Sequence, residues 1–110
     1  MTLPDDQAEE IKAICAEAQL LADGPLQLIH FPRLSIETDG NTIGMEALLC
    51  LSAHQGYSTR LFLSNPIVGK LANWTVHSIL GRQWHTWSWQ GIQPSDRPAQ
   101  ILAQHLRALR

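Results

Sequence analysis

Thr42-Ile43-Gly44-Met45-Glu46-Ala47-Leu48-Leu49-Cys50-Leu51 is the longest stretch of the chain that reads as a β-strand. Side chains alternate across a strand, so Met45, Ala47, Leu49 and Leu51 share one side and Glu46, Leu48, Cys50 and Ser52 the other. Upstream, Asp39-Gly40-Asn41 is a turn signal, because Gly and Asn accept the positive φ of tight hairpins. The turn is entered from a short strand, Leu34 to Glu37, and that from Leu26 to Phe31, which Pro32 is expected to end. Downstream, the Ala53–Gly56 loop leads to a strand over Tyr57–Leu63. There Thr59, Leu61 and Leu63 oppose Arg60, Phe62 and Ser64, and Asn65-Pro66 closes the strand.

Helices are expected at both ends. Between Pro4 and Ala22, the residues Ala8, Ile11, Ile14, Cys15, Ala18, Leu21 and Ala22 recur at spacings of three and four. Asp23-Gly24-Pro25 supplies the stop. Asp96 to Leu109 repeats the pattern with Ile101, Leu102, His105, Leu106 and Leu109, and Pro98 suits its first turn. Residues 67–83 fit either a short helix (Ile67, Leu71, Trp74, Ser78) or extended chain over Val76–Leu80. Trp84–Trp89 is aromatic without a helical period, and Gly91–Ser95 reads as a loop. The order predicts one α+β domain over residues 1–110, a four-stranded antiparallel meander sheet with N- and C-terminal helices packed on one face. Its expected core comprises Ile11, Ile14, Cys15, Leu49, Leu51, Leu61, Trp84, Trp87, Leu102 and Leu106.

With 110 residues, 45% hydrophobic and 16% charged, the chain fits one hydrophobic core and not a disordered segment. Its start, Met1-Thr2-Leu3-Pro4-Asp5-Asp6, lacks a signal-peptide layout, and no apolar run approaches a membrane span, so a soluble cytoplasmic protein is expected. The net charge of −2 is unevenly divided. Residues 1–50 hold nine acids against Lys12 and Arg33, whereas residues 51–110 hold six bases against Asp96. Arg60, Lys70, Arg82, Arg97 and Arg107 are scattered and the pI is about 6.2, which argues against nucleic acid as the partner.

Several short motifs, taken in order, resemble the ubiquitin-conjugating-enzyme superfamily. They are most similar to its divergent prokaryotic branch, found beside bacterial ubiquitin-like and activating-enzyme genes. Leu3-Pro4 opens the first helix, Leu26-Gln27-Leu28-Ile29-His30-Phe31 looks like the first strand, and Glu46-Ala47-Leu48-Leu49-Cys50-Leu51 followed by Gly56-Tyr57 is similar to the apolar strand ending in Gly-Tyr-Pro. Leu80-Gly81-Arg82-Gln83-Trp84-His85-Thr86-Trp87-Ser88 matches a stretch with Gly-Arg-x-Trp, two variable residues, an aromatic and Ser. Gln93-Pro94 and the Leu-rich run Ile101 to Leu109 follow in the same order. The departures are specific. Aligning Gly81-Arg82-Gln83-Trp84 on the Gly-x-hydrophobic-Cys of active members puts Trp84 at the nucleophile. Ser88-Trp89-Gln90 stands for the branch's Ser-Arg-His, Ser58 replaces a proline, and Asn65-Pro66 is all that remains of a His-Pro-Asn signature.

The resemblance therefore implies a conjugating-enzyme-like protein without its thioester cysteine. It would bind a ubiquitin-like protein, an activating enzyme or a conjugating protein. A thioester cysteine must be accessible and reach the thiolate state, whereas Cys15 is expected on a helix stripe and Cys50 within an apolar strand. The alternatives are an active enzyme using Cys50 as a relocated nucleophile, and an unrelated module for peptide or single-stranded nucleic acid. Among His30, His54, His77, His85 and His105 no pair has metal-ligand spacing on a helix, so neither a metal nor another cofactor is expected. His85 lies beside the position of the family's nucleophile and is the weak catalytic candidate alongside Cys50. Trp74, Trp84, Trp87 and Trp89 cluster near it. Trp84 and Trp87 are assigned to the core, and Trp89, with Arg82 and His85, to a partner-binding surface, since Trp and Arg anchor interfaces.

Overall fold

A computed structural model describes residues 3–52, 57–67, 69, 74–88, 92–93 and 95–110. Helix α1 spans Asp5–Ile14 and helix α2 spans Pro98–Arg107. Between them lie β1 (Gln19–Asp23), β2 (Leu26–Thr38), β3 (Asn41–Cys50), β4 (Arg60–Leu63), β5 (Thr75–Ile79) and β6 (Arg82–Thr86). All pair antiparallel in one six-stranded sheet of order β1-β2-β3-β4-β6-β5.

The class is α+β, but the four-stranded meander expected from the sequence is incorrect. Three local effects change it. Glu17 to Ala22 continues a helical period, yet α1 stops at Ile14 and the segment pairs as β1, with Leu20 opposite Ile29 and Leu21 opposite Leu28. Tertiary pairing overrides helix propensity there. Pro32 does not end a strand: the β2–β3 register shifts between Phe31 and Leu34, so Pro32 sits exposed in an irregularity of one long strand. The ambiguous segment folds as the β5–β6 hairpin, joined through Leu80 and Gly81, both at positive φ (55° and 74°). The expected Asp39-Gly40 turn is observed, with φ of 50° and 77°, the signature of a two-residue primed hairpin loop.

The helices cover one face of the sheet. Ile11, Phe31, Ile36, Leu49, Leu61, Leu63, Trp87, Ile101 and Leu102 form the larger core there. Arg97, which caps α2, ties it to α1 through Asp6 (2.5 Å) and Glu10 (3.0 Å). The opposite face holds a second, smaller core of Leu28, Leu48, Cys50, Phe62, Ile79 and Trp84. The sheet curls over this face without its edge strands pairing. Asp23 Oδ2, at the end of β1, accepts a hydrogen bond from Leu80 N in the β5–β6 turn (2.8 Å). Arg82 on β6 reaches past β4 to Glu46 on β3 (2.7 Å). Trp84 donates its indole hydrogen to Ile79 O (3.1 Å), which satisfies the polar atom of a fully buried ring.

Candidate functional site

Both thiols are free and buried. Cys15 caps the end of α1 and belongs to the helix-side core. Cys50 belongs to the second core, and its Sγ donates to Ser52 O (3.2 Å). No group of three or more His, Cys, Asp or Glu side chains among the described residues is placed to hold a metal ion.

Of the three residues expected at an interface, His85 and Arg82 lie on opposite sides of β6. Trp89 lies outside the described residues. His85 is half-buried on β6, paired with Leu63 on β4 and Val76 on β5. Arg82 points to the opposite side. Its guanidinium lies 4.5 Å from the Trp84 ring and binds Glu46, which also accepts from His30 Nε2 (2.6 Å). The Arg82 hydrogen bond, with His30 behind it, holds the Glu46 carboxyl below its ordinary range. Arg82 is thus a clasp across the curled face more than a free anchor.

The assigned core divides similarly. Ile11, Cys15, Leu49, Leu61, Trp84, Trp87 and Leu102 are buried, and Leu51 and Leu106 pack partly buried against the larger core. Ile14 is 46% exposed, because the helix ends at this residue and the chain turns away toward β1.

Helix periodicity also conceals a groove. Between α1 and β1 runs a groove of about 440 Å³ lined by Leu3, Ala8, Ile11, Ala18, Leu20 and Ile29, with Lys12 at its side. Leu20 is 38% exposed. β1 is an edge strand, so one row of its backbone N–H and C=O groups has no strand partner. The signal available in the sequence is Asp23-Gly24-Pro25, which serves as a hairpin turn between two strands as well as it serves as a helix stop.

Two buried polar groups stand out, His105, which the helical period had placed on the apolar stripe, and Arg60, which it had not. His105, only 1% exposed on α2, shares a 3.0 Å hydrogen bond between its Nε2 and Thr59 Oγ1. Its ring meets Trp87 edge to face at 6.3 Å, and Trp87 in turn packs on Trp74 at 5.2 Å. His105 Nδ1 and Trp87 Nε1 have no hydrogen-bond partner among the described residues. Burial, and after it the charge of Arg60, pushes the His105 pKa down from 6.5 to about 4, so the ring is neutral near pH 7. Arg60 on β4 is the second group. It is 4% exposed, and burial lowers its pKa from the ordinary guanidinium value, with Tyr57 and Cys50 acting in the opposite sense.

No protein-family model, curated protein or solved structure matches the chain.

Proposed function

We propose that the protein is a non-catalytic protein-binding domain that receives an extended, apolar segment of a partner along β1. The observation that carries this reading is the pairing of an unpartnered edge strand with an apolar groove beside it. An added strand gains backbone hydrogen bonds from β1, while alternate side chains drop into the groove. The buried thiols support the non-catalytic part, since a nucleophile must be reachable by its acyl donor.

The partner class rests on the motif order and not on the sheet. On that ground the partners are a ubiquitin-like protein, its activating enzyme or a conjugating protein of a bacterial ubiquitin-like pathway, and this chain acts as an adaptor. The test is titration of isotopically labelled protein with each purified component. Amide shifts at Gln19–Asp23 and Ala8–Lys12 are expected with one of them, and Leu20→Lys should weaken that complex about tenfold or more, since burying one Leu side chain contributes roughly 1.5–3 kcal/mol. A partner held equally well by Leu20→Lys would remove the groove from the reading. A reducible adduct formed with activating enzyme, nucleotide and ubiquitin-like protein, and lost in Cys50→Ser, would overturn the non-catalytic assignment.

A further inference from the structure

A guanidinium taken out of water is costly unless an anion or a set of hydrogen bonds replaces its hydration. Arg60 departs from that rule. Its Nε donates to Thr86 Oγ1 (3.3 Å), and this is its only side-chain hydrogen bond among the described residues. No carboxylate there pairs with it. Glu46 is taken by Arg82 and His30, Asp6 and Glu10 by Arg97, and Glu37 lies nearest Arg110.

The guanidinium is nevertheless held firmly. Thr86 is fully buried and passes its own hydrogen to Leu61 O (2.7 Å), so its oxygen is fixed as an acceptor for Arg60 Nε. From another direction the Tyr57 ring lies 4.2 Å from the Arg60 Cζ, a cation–π distance. One nitrogen and one face are therefore engaged, and the Nη1/Nη2 edge is left over. Among the described residues the sealed polar side-chain atoms without partners are Thr38 Oγ1, Trp87 Nε1 and His105 Nδ1. Arg60 as a whole keeps 4% of its surface exposed. Its register partner Cys50 gives its Sγ hydrogen to Ser52 O, and the neighbouring His105 is a neutral ring.

We propose that Arg60 is a preorganised oxyanion receptor whose free guanidinium edge takes a carboxylate or phosphate group. A planar fork binds two oxygens of either group at once, which a lysine ammonium cannot reproduce. The receptor is independent of the docking groove, because β2 and β3 separate β4 from β1 in the sheet. The ligand supplies the counter-charge that the fold withholds.

The test follows the Arg60 Nε–Hε resonance of the wild-type protein, assigned by its loss in Arg60→Lys. Sodium acetate and inorganic phosphate are the probes, with sodium chloride at matched ionic strength as the control. A saturable shift with acetate, phosphate or both is expected. Response to acetate alone assigns a carboxylate ligand, and response to phosphate alone a phosphate ester. In parallel, the effective oxyanion should raise the thermal midpoint of wild type and of Leu20→Lys, and should raise that of Arg60→Met no more than chloride does. If the Arg60 resonance moves no further with oxyanions than with chloride, the receptor is absent. Equal midpoint shifts in wild type and a folded Arg60→Met would likewise overturn it. The resonance arm decides the matter even where Arg60→Met does not fold.

Discussion

Acidification should destabilise this protein through one ring. His105 is enclosed between α2 and the sheet, and burial together with Arg60 pushes its pKa from 6.5 to about 4. The folded-state value is the lower one, so below pH 6.5 the unfolded chain binds a proton that the folded chain refuses. Stability held at neutral pH is therefore lost as pH falls from about 6.5 toward about 4. Linkage puts the loss at about 2 kcal/mol by pH 5 and about 3 kcal/mol near pH 4. Carboxylates such as Glu46, whose pKa is lowered, titrate further into acid and add a loss of their own there. Urea denaturation of wild type and His105→Gln at pH 7, 6 and 5 separates the two effects. The variant starts less stable, because it disturbs the Thr59 hydrogen bond, but its unfolding free energy should fall by about 2 kcal/mol less than that of wild type between pH 7 and 5. Parallel losses in the two proteins would refute the reasoning. So would a His105 ring that titrates near 6.5 in the folded state.

Two further outcomes follow from local geometry. Leu80 adopts a φ of 55° at the first position of a two-residue hairpin loop, and it is 38% exposed, so it gains little from burial in return for the strain. Leu80→Asn creates Asn-Gly, the preferred pair for this turn, and should raise the unfolding free energy by about 1 kcal/mol in urea titration, whereas Leu80→Val should lower it. A thiol-specific disulfide reagent should leave Cys15 and Cys50 unmodified in the native protein and label both in urea, and fast native labelling of Cys50 would contradict its placement in the second core.

The helix-side core was legible in the sequence because its residues follow simple periods. Ile101, Leu102 and His105 fall on one helical face, and Leu49, Leu61 and Leu63 on one strand face. The second core was less so, since flanking helices alone do not predict it. Its trace is the uninterrupted run Leu61-Phe62-Leu63, which pairs with Ala47-Leu48-Leu49; strands buried on both faces lose their alternation. β1 was hidden by its composition. Gln19, Leu20, Leu21 and Ala22 all favour helix locally, and only pairing with β2 draws them into the sheet. Arg60 could not be singled out, because its burial is a property of packing and leaves no mark in spacing.

The sheet has two open edges, and the side chains beside them decide which is the docking edge. On β5, Val76 is 52% exposed, more than any other large hydrophobic among the described residues. Yet its flanking residues Thr75 and Ser78 are exposed and polar, and Thr75 and His77 hydrogen-bond to each other at 3.0 Å. A strand added there would find backbone partners and little apolar surface. On β1 the backbone row lies beside a cavity whose lining is apolar except for Gln19 and Lys12. Backbone hydrogen bonding is common to both edges, so the difference in affinity must come from side-chain burial. Val76→Lys should leave the partner's dissociation constant within about twofold of wild type, against the tenfold or greater loss expected of Leu20→Lys. The opposite ranking in calorimetric titration would move the interface to β5 and leave the α1–β1 groove without a role in binding.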